Sequence, residues 1–290
     1  MLSGRTPLLR YTTAPDTPAF ESPKPYLHPV RTLAGESVTA ARPHDHPWHA
    51  GLQFTAANLS GQNFWGGRTY VRDQGYTRLD NNGSMRHVRW VRASAGDDGA
   101  LLRHQVEWLT AGGDRWIDED RRLRVELVDP ADGSWLLTFH TELRNVSGQD
   151  LSWGSPVTEG RATAGYGGLF WRGPRSFVDG EVLTRDGLSV EAAMGSRGPW
   201  LAYVGTHDMT MNRSTLVFVD SPGNPRFPTP WFVRNTPYPV VSFAGTFHER
   251  LTIPSESTLS LTHHIVIADG AWDTDRIEHY VTERIAPLWT

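Results

Sequence analysis

Trp135-Leu136-Leu137-Thr138-Phe139-His140-Thr141-Glu142-Leu143-Arg144 is the stretch that decides the fold class. Trp135, Leu137, Phe139, Thr141 and Leu143 fall on one parity, and Leu136, Thr138, His140, Glu142 and Arg144 on the other. That period of two belongs to a strand packed on one side. Leu259, Leu261, His263, Ile265 and Ile267 repeat the pattern. Further strands are expected over 8–11, 26–33, 51–59, 75–79, 85–94, 101–109, 121–128, 201–205 and 215–220. Turn signals separate them, among them Asn81-Asn82-Gly83, Asp97-Asp98-Gly99, Gly112-Gly113-Asp114 and Asp132-Gly133. The fold class is therefore all-β, an antiparallel β-sandwich. One segment, 272–287, reads as helix: Asp273 or Thr274 caps it, Ile277, Tyr280, Val281 and Ile285 recur at helical spacing, and Pro287 ends it. Residues 1–23 read as an N-terminal extension and 177–197 as an excursion over one face. With no linker-like stretch or fixed repeat, 1–290 reads as a single β-sandwich domain.

Composition bounds the function. The chain has 290 residues, a net charge of -4, 12 Trp, 28 Gly, 20 Pro and no Cys. The missing cysteine excludes disulfides, thiolate nucleophiles and cysteine-held zinc. Charges of both signs are interspersed with no basic block, which argues against nucleic acid and membrane surfaces as partners. No apolar run approaches the ~20 residues of a membrane helix. The opening Met1-Leu-Ser-Gly-Arg-Thr-Pro7 lacks the features of a signal peptide, so a cytoplasmic location is expected. There is no serine nucleophile elbow, phosphate loop or dinucleotide fingerprint.

Chemistry concentrates in Arg42-Pro-His-Asp-His-Pro-Trp-His-Ala-Gly-Leu-Gln-Phe54, which puts His44, Asp45, His46 and His49 within six residues. Imidazole moves protons near neutral pH and ligates metals. His44 and His46 share a side on an extended backbone, and Pro47 bends the chain so that His49 can face them. Two readings stay open: His46 and His49 divide acid and base roles, or they share a divalent metal ion with His28. His44-x-His46 is a partial match to a cupin-like metal motif, with His49 and Ala50 where a glutamate is expected. In the run after Trp116, Ile117, Glu119, Arg121, Leu123, Val125 and Leu127 share one parity, which puts two charges on an apolar face. Such charges are either paired or used. Glu119 is thus a candidate general base and Arg121 a candidate substrate ligand. Arg172, after Gly167-Gly168, could meet a substrate oxygen, and Trp65 and Trp231 could stack on a sugar ring.

A resemblance runs through four ordered blocks: Lys24-Pro-Tyr-Leu-His-Pro-Val-Arg-Thr-Leu-Ala-Gly35; Asp45-His-Pro-Trp-His-Ala-Gly-Leu-Gln-Phe54 with Asn63-Phe-Trp65; Tyr166-Gly-Gly-Leu-Phe-Trp-Arg172; and Asp220-Ser-Pro-Gly-Asn-Pro-Arg-Phe-Pro-Thr-Pro-Trp231. Together they resemble the DUF6807 family, also labelled PmoA or "methane oxygenase PmoA". The resemblance implies a supersandwich similar to the galactose-mutarotase-like carbohydrate folds, and work on a sugar or oxidised sugar. On that basis the expected function is a carbohydrate-active enzyme of lyase, epimerase or glycoside-cleaving type acting on a small-molecule sugar or keto-sugar. His46, His49 and Glu119 would be catalytic; His28, His44, Trp65, Arg121, Tyr166, Arg172 and Trp231 would bind substrate. The alternatives are a metal-dependent oxidoreductase with one divalent ion on His28, His46 and His49, in line with the PmoA label, and a sugar-binding protein without turnover.

Overall fold

The computed structural model describes residues 2–3, 6–96 and 99–289, so Asp97 and Asp98 of the expected turn lie outside the described residues. Two antiparallel sheets dominate. The larger has eight strands, in the order Glu181–Thr184, Trp200–Thr206, Arg213–Asp220, Thr258–Asp269, Ser134–Asn145, Arg115–Asp129, Gly99–Leu109 and Ser84–Gly96. The smaller has six, in the order Trp231–Arg234, Val240–Phe243, Gly168–Arg172, Leu52–Thr55, Tyr26–Val30 and Leu9–Thr12.

Register turns the sequence alternation into a face. Trp135 pairs with Ile267, Leu137 with Ile265 and Phe139 with His263, so the two most alternating strands are in phase. Their apolar parity meets the six-stranded sheet: Phe139 stacks on Phe54 at 5.6 Å, and Phe218 lies 5.6 Å from Trp171 and 6.1 Å from Phe243. Aromatic pairs at these separations add to the burial that holds the sheets together. The opposite parity of the larger sheet, with Leu136, Val217 and Val266, is covered by Ile277, Tyr280, Val281 and Ile285 of the C-terminal helix. That helix, Thr274–Tyr280, starts where the Asp273 side chain accepts the Arg276 backbone N–H at 2.9 Å, and continues as a π turn and a 3-10 turn to Leu288. The fold is the expected all-β antiparallel sandwich with a short C-terminal helix.

The strand expected over 8–11 is present as Leu9–Thr12 at the edge of the smaller sheet, with Leu8 and Leu9 buried in the core, so this part of 1–23 packs with the sandwich. Glu181–Thr184 pairs along Leu201 to Val204 and so lengthens the larger sheet, where an excursion was expected.

Glu119 and Arg121 are also corrected. Both lie in the sandwich interior, 2% and 1% exposed. Arg121 grips Glu119 through Nε at 2.6 Å and NH2 at 2.9 Å. The carboxylate also accepts from Trp108 Nε1 and Thr141 Oγ1, both at 2.7 Å, and Arg121 NH1 donates to the Tyr11 hydroxyl at 3.1 Å. Neither residue lines the main cavity. The pair is closed on itself: the carboxylate is saturated, and removing either partner would strand a buried charge at about 3–5 kcal/mol.

The smaller sheet obeys the same parity rule. Leu169, Trp171, Trp231, Val233, Val241 and Phe243 join the main core, whereas Phe170, Phe232 and Val240 face a separate aromatic cluster on the outer side. Arg172 and Arg234 share that outward parity.

Buried histidines make the fold acid-sensitive. Burial and the neighbouring Arg121 and His87 push the imidazole of His104 down to about 2, and burial with His263 brings His264 down to about 4 despite Asp220. Both are neutral in the fold and gain a proton on unfolding, where they titrate near 6.5. Their contribution is therefore complete above that value and is lost as the pH falls, through about 4 for His264 and toward about 2 for His104. Thermal unfolding followed by circular dichroism should show the Tm falling steadily from about pH 7 to about pH 4.5; a flat profile would contradict this.

Candidate active site

Residues 41–50 form a loop closed by a bridge between Ala41 and Ala50. Inside it the His46 N–H donates to Pro43 O at 3.2 Å, His49 N–H to His46 O at 2.9 Å, and Arg42 N–H to His49 O at 2.7 Å. The turn brings residues three apart onto one side. The His46 and His49 rings consequently stack, 4.6 Å apart and 15° from parallel.

Arg172, at the end of the Gly168–Arg172 strand, holds this loop from behind. It is 6% exposed. NH1 and NH2 each donate to Asp45 at 3.1 Å, NH1 donates to His49 Nδ1 at 3.1 Å, and the guanidinium lies 4.3 Å from the centre of the Tyr238 ring. A fork on a carboxylate is among the strongest side-chain contacts. Its Nε has no partner.

These contacts give the two imidazoles different tautomers. Arginine can only donate, so His49 Nδ1 is an acceptor and its proton sits on Nε2, a buried atom with no partner among the described residues. Asp45 is ionised: burial raises its carboxyl, but the hydrogen bonds from His46 and Arg172, and the charge of Arg172, outweigh that and hold it at about 2. It therefore accepts from His46 Nδ1–H at 2.8 Å, which leaves the lone pair of His46 on Nε2. Burial, Arg172 and Arg234 lower His46 despite Asp45, and burial, His46, Arg172 and Lys24 lower His49 much further. Near pH 7 the site thus holds a neutral base, His46, beside a neutral N–H donor, His49.

Both rings line a cavity of about 520 Å³ on the outer side of the smaller sheet. Trp48, Trp65, Phe170, Tyr166, Phe232 and Tyr238 supply aromatic wall, and Arg68, Arg78, Arg161 and Arg234 supply the charge. Trp65 lies against Tyr166 with ring centres 4.4 Å apart and planes tilted by 32°. Its backbone is fixed from two directions: Asn63 Oδ1 accepts the N–H of Trp65 and of Gly66, both at 2.9 Å, and Lys24 Nζ donates to Trp65 O at 2.9 Å. Gly66 sits at φ +113°, where a Cβ would come within 2.5 Å of Trp48 Cβ. Only glycine lets Trp48 lie against that backbone.

The family model described as "Family of unknown function (DUF6807)" matches residues 1–282. The chain belongs to DUF6807. No curated protein matches it. The blocks that carry the resemblance all fall within the matched residues, and Asp45, His46, His49, Trp65, Tyr166 and Arg172 of this DUF6807 chain converge at or just behind the cavity.

Not every expected residue belongs there. His44 is exposed and does not line the cavity. His28 Nδ1 is hydrogen-bonded with Thr39 Oγ1 at 3.0 Å, and His28 is likewise off the cavity. Trp231 is fully buried against Phe243, because its parity points inward and its neighbour Phe232 takes the cavity. Arg172 is engaged by Asp45 and His49 and does not line the cavity. Phe170, Tyr238 and the four cavity arginines were not anticipated; only Phe170, Phe232 and Arg234 carried a usable signal, the alternation of their strands.

The residues present do not fit a divalent ion on His28, His46 and His49. Among the described residues no group of three or more His, Cys, Asp or Glu side chains is gathered to hold a metal. Stacked imidazoles direct their in-plane lone pairs along parallel planes, which cannot meet at one ion about 2 Å from each. The guanidinium on His49 Nδ1 also places a cation where a ligand bond would form.

The electrostatics predict opposite responses of His46 to its two neighbours. Asp45→Asn removes the carboxylate that raises it and should lower its titration midpoint further; Arg172→Met removes a cation that lowers it and should raise the midpoint. Imidazole NMR titration checks both signs, and an unmoved midpoint in both variants would contradict the arrangement.

Proposed function

We propose that this DUF6807 protein is a carbohydrate-active enzyme that moves a proton at a sugar or keto-sugar carbon, as a lyase or epimerase does, with His46 as general base and His49 as hydrogen-bond donor to the developing oxyanion. The observation that carries this reading is the Asp45–His46 pair, which leaves a free imidazole lone pair on an aromatic-walled cavity. The volume suits a small ligand, and flat aromatic walls suit sugar rings. A positively surrounded imidazole of lowered basicity abstracts a carbon-bound proton only where an adjacent carbonyl or carboxylate spreads the charge, and a neutral N–H donor beside it answers that charge. Two-carboxylate glycoside hydrolysis is less well supported, because no Asp or Glu among the described residues lines the cavity and Asp45 is committed to Arg172 and His46. The paired antiparallel sheets accord with a galactose-mutarotase-like sandwich, which belongs to the same proposal. The oxygenase chemistry suggested by the PmoA label draws no support from the ligand geometry.

Solvent-deuterium exchange tests the reading. Incubation of the protein in heavy water with aldoses, keto-sugars and sugar acids should place deuterium on one carbon of one class. His46→Gln should slow that exchange by about 10²- to 10⁴-fold while ligand binding persists. Binding with no exchange by the unaltered protein would instead indicate a sugar-binding protein without turnover.

A further inference from the structure

Every ionised side chain that lines the cavity is an arginine: Arg68, Arg78, Arg161 and Arg234. None of the four forms an ion pair within the described residues, although the chain as a whole carries more acidic than basic groups. Three of them are laid on aromatic rings of the same cavity: Arg78 over Phe20 at 5.2 Å, Arg161 over Tyr76 at 4.5 Å and Arg234 over Phe232 at 5.3 Å. A ring occupies the face of a guanidinium and leaves its N–H edge for an oxyanion. Arg161 spends one N–H on the Tyr76 hydroxyl, which joins Tyr166 at 2.8 Å.

Arg172 shows the same arrangement completed. It lies on Tyr238, and the carboxylate of Asp45 fills its edge. Three of the cavity arginines repeat the ring beneath the guanidinium, and none of the four has a carboxylate of the described residues at its edge. We propose that the substrate supplies it: the cavity takes a sugar acid, a uronate-type carbohydrate whose carboxylates complete the free arginine edges, and the proton that His46 removes is the one on the carbon bearing the carboxylate. This deepens the carbohydrate reading above and rests on it.

The two features require each other chemically. A C–H bond beside a carboxylate is too weak an acid for imidazole until the carboxylate charge is neutralised, and arginines at its oxygens do that and hold the enediolate that forms. His46 Nε2 takes the proton, and the C–H electron pair becomes a carbon–carbon double bond with the negative charge on the carboxylate oxygens. The pair then follows one of two courses. It takes a proton from solvent on the opposite face, which gives the epimer, while His46 Nε2 releases the proton it removed to solvent. Alternatively it expels the oxygen substituent on the next carbon, whose C–O bond breaks; that oxygen takes up the proton and leaves as an alcohol, and the double bond remains conjugated to the carboxylate. Neither course consumes an oxidant, a reductant or water. A sulfate or phosphate ester would satisfy the same edges but would leave the neighbouring C–H unactivated.

Calorimetric titration of the full chain with galacturonate, glucuronate and digalacturonate, each against its neutral sugar, and with glucose 6-phosphate and inorganic sulfate, tests this. At least one uronate should bind about tenfold or more tighter than its neutral counterpart. Arg78→Gln and Arg234→Gln should each remove most of that preference, with unchanged melting temperatures showing that both variants fold. Exchange or elimination at the carbon next to the carboxylate should accompany binding. Equal affinity for acid and neutral sugars overturns the acid assignment and leaves the carbohydrate reading standing. Tighter binding of sulfate or the sugar phosphate than of any uronate overturns the carboxylate assignment. Failure of every sugar to bind overturns the carbohydrate reading itself.

Discussion

The fork of Arg172 on Asp45 and His49 is the interaction on which the site depends. A guanidinium on the outward parity of a central strand would be costly so far from water, and three contacts offset that cost: the Asp45 carboxylate, the Nδ1 lone pair of His49 and the face of Tyr238. Each contact in turn fixes a partner. Asp45 is kept ionised and orients His46, His49 is confined to one tautomer, and Tyr238 is held where it forms cavity wall. The stack of the two imidazoles follows from the turn that Ala41 and Ala50 close, but their division of roles follows from the arginine.

The molecule contains a second buried ion pair, Glu119 with Arg121, and the contrast between the two separates structure from function. Glu119 accepts from Arg121, Trp108 and Thr141 and lies between the sheets, so its pair ends in a saturated network. The Arg172 pair ends in unsaturated atoms: His49 Nε2 has no partner, and the lone pair of His46 lies at a cavity. Both arginines sit on strand faces. Which pair has unused valences depends on which side of its sheet faces another sheet.

Strand alternation was therefore the most informative property of the sequence, and also where inference stopped. The in-phase parities of 135–143 and 259–267 sufficed for a sandwich, and capping with 3.6-residue spacing sufficed for the C-terminal helix. The same rule distinguishes Trp231, in the core, from Phe232 and Arg234 at the cavity, but that strand is four residues long and was not read as a strand. Arg68, Arg78 and Arg161 lie on irregular backbone, where no period tells which way a side chain points. The density of histidines pointed to the segment whose His46 and His49 line the cavity. It could not show that the rings of His46 and His49 stack, which is what disfavours a shared metal, or that His28 is drawn away to Thr39.

Proton positions on the two imidazoles test the central assignment most directly. Nitrogen-15 chemical shifts and long-range proton–nitrogen couplings at neutral pH, assigned with His46 and His49 variants, report which ring nitrogen carries hydrogen. Opposite tautomers are expected, with His46 protonated on Nδ1 and His49 on Nε2. The same tautomer on both rings, or a charged His49, would contradict the division of base and donor that Arg172 and Asp45 impose.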